Sequence, residues 1–249
     1  MKIAVIVSYW NHPEFIELCL HSLSLQTRKP DEIIVCDDGS DIVPDWRALG
    51  DPRVLWQPHD GYGKERLSNK ALMSTECDYL VLTDQDCVFQ PDWIEIQEKI
   101  AKPNQYVCGM ATSLNQIESA LVNKESISDG SIWSTITRGY EGDPDIFCGN
   151  GSAVWREDAV AINGFDTRFG CCGPDYNFGM RLKANGLSYD HACKYTRWLH
   201  LWHDRPYMAD PLDYKSGNRR EANRLAALWA AEAAVTPFGI QTLLNQQVP

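Results

Sequence analysis

Tyr79-Leu80-Val81-Leu82-Thr83-Asp84-Gln85-Asp86 sets the pattern by which the rest of the chain can be understood. A short, mostly apolar run that stops abruptly on carboxylates reads as a buried strand with polar groups at its carboxyl end. Glu32-Ile33-Ile34-Val35-Cys36 has the same form and ends on Asp37-Asp38-Gly39-Ser40, and Ile3-Ala4-Val5-Ile6-Val7 runs into Ser8. Helical stretches lie between these runs. Asn11 is expected to open the first helix, with Pro13 in its first turn and Glu14 completing a capping box. Phe15, Cys19 and Leu23, with Ile16 and Leu20 beside them, give that helix one apolar stripe. A short strand at Val54-Leu55-Trp56, a helix from about Arg66 to Thr75 and another from Pro91 to about Ile100 complete the pattern. Strands alternating with helices predict crossover units, hence an α/β fold with a mainly parallel central sheet flanked by helices. Ligands on such sheets sit outside the carboxyl ends of the strands, where these acids fall.

The second half is less regular. Cys148 to Arg156 reads as a strand leaving a Gly-Asn-Gly turn, Arg156 to Ile162 as a short helix, and Asp175 to Ala184 as a helix stopped by Asn185-Gly186. Tyr195 to Trp202 is aromatic and carries histidine. From Ser216 to Val235 the chain is Ala-rich and reads as a helical tail with Leu225, Leu228, Trp229 and Ala233 on one face, expected to pack back on the domain. With no repeat or linker, one domain over 1–249 is expected, comprising 1–103, 104–204 and a C-terminal extension over 205–249.

The composition narrows the function. The chain has 249 residues, and its 34 acidic against 23 basic residues give a formal charge of −11. Such a surface repels phosphate backbones and anionic headgroups, which argues against nucleic acid as a partner. The opening apolar run is too brief for a signal-peptide core, and no run approaches the 18 residues of a transmembrane segment. Nine cysteines without a C-x-x-C pair fit buried, reduced thiols in a cytoplasmic protein better than a zinc ribbon.

Four clusters carry chemistry. Asp84 and Asp86 could hold a hard divalent cation against a diphosphate, or form a solvated acidic turn. The chain has 21 aspartates, and Asp143-Pro144-Asp145 is a second D-x-D triplet. Asp37 or Asp38 could accept a hydrogen bond from a base N–H, or simply turn the chain. His200 and His203 face one side if their segment is a turn or helix, and diverge if it is extended. Asp175, at a helix start, is either a cap favoured by the helix dipole or a base facing a pocket.

The order of these pieces resembles the family 2 glycosyltransferases of GT-A fold, those with a galactosyltransferase-like C-terminal half. Strand then DDGS, a helix bearing Asn69, strand then D-x-D, Gly149-Asn150-Gly151-Ser152, Asn163-Gly164-Phe165-Asp166, Asp175 with Arg181-Leu182, and the histidine pair follow in sequence over about residues 3 to 204. The resemblance implies a Rossmann-like GT-A sheet and a nucleotide-sugar donor, commonly a UDP-sugar. Asp37 or Asp38 would bind the base, with Ser8, Arg66 and Asn69 lining the donor pocket together with Asp84. Asp84 and Asp86 would serve a Mn²⁺ or Mg²⁺ ion, completed by His200 with His203 in competition. Asn150, Gly151, Phe165 and Asp166 would lie on the acceptor side.

Asp175 falls six residues before Arg181, the spacing of the family's catalytic base. Cys172 stands where Trp is common, Pro174 replaces a Glu that often contacts the acceptor, and Asn177 replaces a frequent second acid. The reaction implied is direct, inverting displacement onto a hydroxyl of a glycan or other acceptor, with no nucleophilic Cys and with Cys171-Cys172 as packing. The alternatives are a catalytically inactive protein on this fold or a sugar nucleotidyltransferase. The latter class wants a glycine-rich loop after the first strand, where this chain has Ser8-Tyr9-Trp10-Asn11.

Overall fold

In the computed structural model, residues 1–141, 145–169, 173–204 and 227–246 are described. The central sheet has seven strands: β1 (Ile3–Tyr9), β2 (Glu32–Asp37), β3 (Arg53–Trp56), β4 (Tyr79–Asp84), β6 (Gln105–Cys108), β8 (Ala153–Trp155) and β9 (Ser188–His191), in the order β3-β2-β1-β4-β8-β6-β9. All neighbours are parallel except β8, which runs antiparallel to both β4 and β6. A second sheet, not foreseen from sequence, joins β5 (Cys87–Phe89), β10 (Trp198–His200) and β7 (Thr112–Ser113) in the order β5-β10-β7.

Period-two alternation explains how the large sheet carries helices on both faces. Ala4, Ile6, Ile34, Cys36, Leu80 and Leu82 point to one side, against Leu67 and Ala71 of α2 (Lys64–Ser74) and Phe178 and Leu182 of α4 (Pro174–Ala184). Ile3, Val5, Val7, Val35, Tyr79 and Val81 point to the other, against Ile16, Cys19, Leu20 and Leu23 of α1 (Pro13–Ser24) and Trp93 and Ile94 of α3 (Trp93–Ile100). Both faces are apolar, so the strands read as continuous apolar runs. A smaller cluster of Val88, Leu199 and Leu201 with Val122, Ile127 and Ile132 lies behind the second sheet.

The start of α1 differs from expectation. Asn11 and His12 both have positive φ, 43° and 78°, and His12 is the N-cap without a side-chain cap bond. The Asn11 carboxamide oxygen instead accepts the backbone N–H groups of Asp41 and Ile42, so it braces the loop after β2 and forms no capping box. The strand expected over 148–156 is confined to Ala153–Trp155.

At the C-terminus, residues 227–232 are helical and a second helix spans Ile240–Gln246. Leu225 and Cys171-Cys172 lie outside the described residues. Of the expected apolar face, Leu228 is exposed and Ala230 is buried in its place, while Trp229 packs on Phe169 and under the Arg168 guanidinium. No helix among the described residues is long and apolar enough to cross a membrane. The seven described cysteines are unbridged.

Candidate active site

The strand order reverses across β1: the chain runs outward through β2 and β3, then returns to place β4 on the other side. That switch opens a crevice at the carboxyl edge. Register aligns Ser8 with Asp84 and Tyr9 with Asp37, bringing three expected positions to one rim. Gln85, between the two acids, is clasped to the first loop: its backbone N–H donates to Ser8 O, its amide donates to Trp10 O, and its carbonyl accepts from Trp10 N–H.

Asp86 turns away from Asp84 toward the second sheet. Its Oδ2 lies 3.1 Å from His203 Nε2 and 3.4 Å from His200 Nε2, so both histidines converge on one carboxylate. The extended strand β10 carries only His200. The chain bends beyond it, with Leu201 N–H donating to Asp86 O, and returns His203 to the same point. One ligand atom from each of the three residues falls within 4.8 Å of the others. Burial alone would raise the Asp86 carboxyl, but the two imidazoles outweigh it and hold it below the ordinary aspartate range.

Asp84 faces the other way. Its Oδ1 is 2.6 Å from Lys64 Nζ, and the same ammonium is 3.9 Å from Asp175 Oδ2. Burial raises the Asp84 carboxyl, with Lys64 opposing and Asp86 reinforcing the shift. Burial works against the Lys64 ammonium, yet Asp175 and Asp84 hold its pKa well above the usual lysine range. Asp175 lies in the first turn of α4, and its Oδ2 accepts the Gly149 N–H at 2.9 Å. Next to Lys64, Glu65 is buried and its Oε1 has no hydrogen-bond partner among the described residues. Burial pushes its carboxyl well above the usual range, with the charge of Asp175 adding to the shift.

The DDGS acids separate in role. Asp37 Oδ1 accepts the Ser40 N–H, closing the turn. Asp38 bonds across the crevice, accepting from Gln57 Nε2 at 2.6 Å and from Gly63 N–H at 2.9 Å. Trp10 and His59 stack above them with ring centroids 5.0 Å apart. Arg66 reaches the Asp60 carbonyl.

Several expected ligand-lining residues are engaged in holding the fold. Asn69 is fully buried, and its amide brackets the backbone of Phe165, accepting its N–H and donating to its carbonyl. Phe165 stacks on Phe178 inside the core. Asp166 is tied to Arg168 and Thr236, and these partners outweigh burial to keep its carboxyl low. Gly151 presses against the Trp198 indole, where any Cβ would collide, and the Asn150 carbonyl accepts from Trp198 Nε1. The resemblance placed Lys64 only within the stretch 60–71 expected to line the donor pocket; its two carboxylate partners lie on other elements and leave no local signal in the sequence.

A mainly parallel α/β sheet with paired acids at its switch edge is the architecture of the GT-A glycosyltransferases. The chain belongs to glycosyl transferase family 2, whose model matches residues 4–160. It is 24% identical over 267 residues to the O-antigen biosynthesis protein RfbC of Myxococcus xanthus, an alignment covering 95% of this chain and 19% of that protein. Other curated relatives are likewise matched over only 14% to 28% of their length. Among solved structures, residues 1–349 of Staphylococcus aureus TarS in complex with UDP-GlcNAc match at TM-score 0.62 and 13% identity, covering 100% of this chain and 76% of that one. The Pyrobaculum calidifontis mannosyltransferase PcManGT, in complex with GDP-Man and Mn²⁺, matches at TM-score 0.58 and 19% identity, covering 98% and 79%.

Proposed function

We propose that the chain is a metal-dependent, inverting glycosyltransferase that moves a sugar from a nucleoside diphosphate donor to a hydroxyl of a glycan or similar acceptor. The observation that carries this reading is the meeting of Asp86, His200 and His203 at the end of β4, with Asp84, Lys64 and Asp175 alongside. The donors bound in the TarS and PcManGT structures, UDP-GlcNAc and GDP-Man, support a nucleoside diphosphate sugar as donor class. The name of the Myxococcus relative supports a glycan acceptor. The described residues support one domain, because strands from both halves share a single sheet.

One carboxylate and two imidazoles suit Mn²⁺ better than Mg²⁺, which prefers oxygen donors and dehydrates reluctantly. When bound by Asp86, His200 and His203, the ion would offset the charge growing on the leaving diphosphate. Asp38 and Asp37 shape the base end of the crevice. Asp175 takes the acceptor proton as the hydroxyl oxygen bonds to the anomeric carbon and the bond to the diphosphate breaks. The Gly149 N–H holds that carboxylate in place. A single displacement inverts the anomeric configuration.

The test is release of nucleoside diphosphate from a panel of UDP- and GDP-sugars, with Mn²⁺ and with chelator. Metal-dependent turnover of one donor, abolished in Asp86→Ala, is expected. Absence of both turnover and nucleotide binding across the panel rejects the assignment.

A further inference from the structure

Lys64 has no part in the displacement just described, yet it stands between the two acids on which that reading depends. Its side chain is 13% exposed, with the ammonium 2.6 Å from Asp84 Oδ1 and 3.9 Å from Asp175 Oδ2. Lys64 is the first residue of α2, where the helix dipole disfavours a cation. Local helix energetics therefore oppose this charge at this position, and burial opposes it further. Only the tertiary partners repay it. A second observation comes from the neighbouring turn: a Cβ on Gly149 would lie 2.6 Å from Lys64 Nζ and 2.8 Å from Asp175 Oδ2. The backbone at 149 thus closes against both groups, and its N–H donates to the same Asp175 oxygen.

We propose that Lys64 is a positioning residue that ties the candidate base Asp175 to the donor-side carboxylate of Asp84. The ammonium and the Gly149 N–H hold Oδ2 from two directions and leave Oδ1 as the oxygen that meets the acceptor hydroxyl. Because Asp84 ends the strand whose turn carries Asp86, the bridge makes the setting of the base depend on the donor side of the crevice. This inference rests on the glycosyltransferase reading of the site.

The test uses the full chain and its Lys64→Met, Lys64→Arg, Gly149→Ala, Asp175→Asn and Lys64→Met/Asp175→Asn variants. Calorimetry measures UDP and GDP binding with Mn²⁺, donor hydrolysis gives kcat, and urea unfolding gives stability. Lys64→Met is expected to bind the nucleoside diphosphate within about threefold of wild type while kcat falls about 100-fold or more, the range lost with a misplaced catalytic group. Lys64→Arg should recover most of the rate, and Gly149→Ala should lose kcat in the same way. In the Asp175→Asn background, Lys64→Met should cost less than about threefold, because residues acting as a unit are not additive. The urea midpoints of the four proteins in that cycle should be non-additive as well. A loss of affinity equal to the loss of rate makes Lys64 a phosphate ligand and overturns the proposal. Additive effects in the cycle, on rate or on urea midpoint, overturn it too, and the midpoints decide even if wild type binds nucleotide without turning it over. No Mn²⁺-dependent nucleotide binding by wild type removes the glycosyltransferase reading itself, and this inference with it.

Discussion

His203 Nε2 stands 3.1 Å from Asp86 Oδ2, across the antiparallel pairing of β10 with β5 in which His200 faces Cys87. The contact joins the turn after β4 to the chain beyond β10, so cation binding ties together both sheets. Asp86→Asn, His200→Ala and His203→Ala are each expected to weaken Mn²⁺ binding by at least about tenfold, as losses around metal sites typically do. Asp84→Asn should weaken it less, because Lys64 already occupies that carboxylate. Calorimetric titration of Mn²⁺ into the nucleotide-free protein distinguishes the two patterns.

Glu65 supplies a pH signature. Its folded-state carboxyl is raised by burial, so between its ordinary pKa and the raised one the folded protein binds the extra proton. That contribution is present in acid and is lost as pH rises through this window. Glu65→Gln removes the penalty and should raise the urea midpoint more at pH 8 than at pH 5. An equal shift at both pH values would contradict the account.

Asn69 brackets Phe165 through two backbone bonds in a fully buried position. Asn69→Ala leaves a donor and an acceptor without partners and should cost about 2–6 kcal/mol of stability, at about 1–3 kcal/mol per stranded group. The expected sign of this fastening role is a lowered urea midpoint with nucleoside diphosphate affinity unchanged once folded.

Arg168 pairs with Asp166 and lies between two rings, 4.0 Å from the Trp229 centroid and 4.2 Å from that of Phe238. Arg168→Met keeps the stem but loses both cation–π contacts, each worth about 0.5–2 kcal/mol. The variant should release the segment around 227–240, visible as faster cleavage there in limited proteolysis. Unchanged protection would show that the Asn163 and Thr236 bonds suffice.

The large sheet was legible because β1, β2 and β4 are buried on both faces and so appear as unbroken apolar runs. The second sheet was not, because strands of two or three residues, such as Thr112–Ser113 and Trp198–His200, are too short to show any period. Asn11 misled for a related reason: its side chain could serve either a helix cap or a distant loop, and the bonds to Asp41 and Ile42 are non-local. In the site, residue type and position at a strand end pointed to Asp84 and Asp86, and a place at a helix start six residues before Arg181 pointed to Asp175. The choice between His200 and His203 depended on a bend after β10 that brings both to Asp86. Lys64 was hidden because its meaning lies in two carboxylates on other elements.

Strand β8 enters the sheet between β4 and β6, so the border of β4 stays open until Trp155 has been synthesised. On the ribosome the nascent chain therefore presents an unpaired apolar border for roughly 4–14 s, at the ~5–20 residues per second of translation. Such a border is a template for pairing with other chains. For this molecule, the interval between emergence of β4 and arrival of β8 is a stage of biogenesis at which chaperone shelter would guard against such pairing.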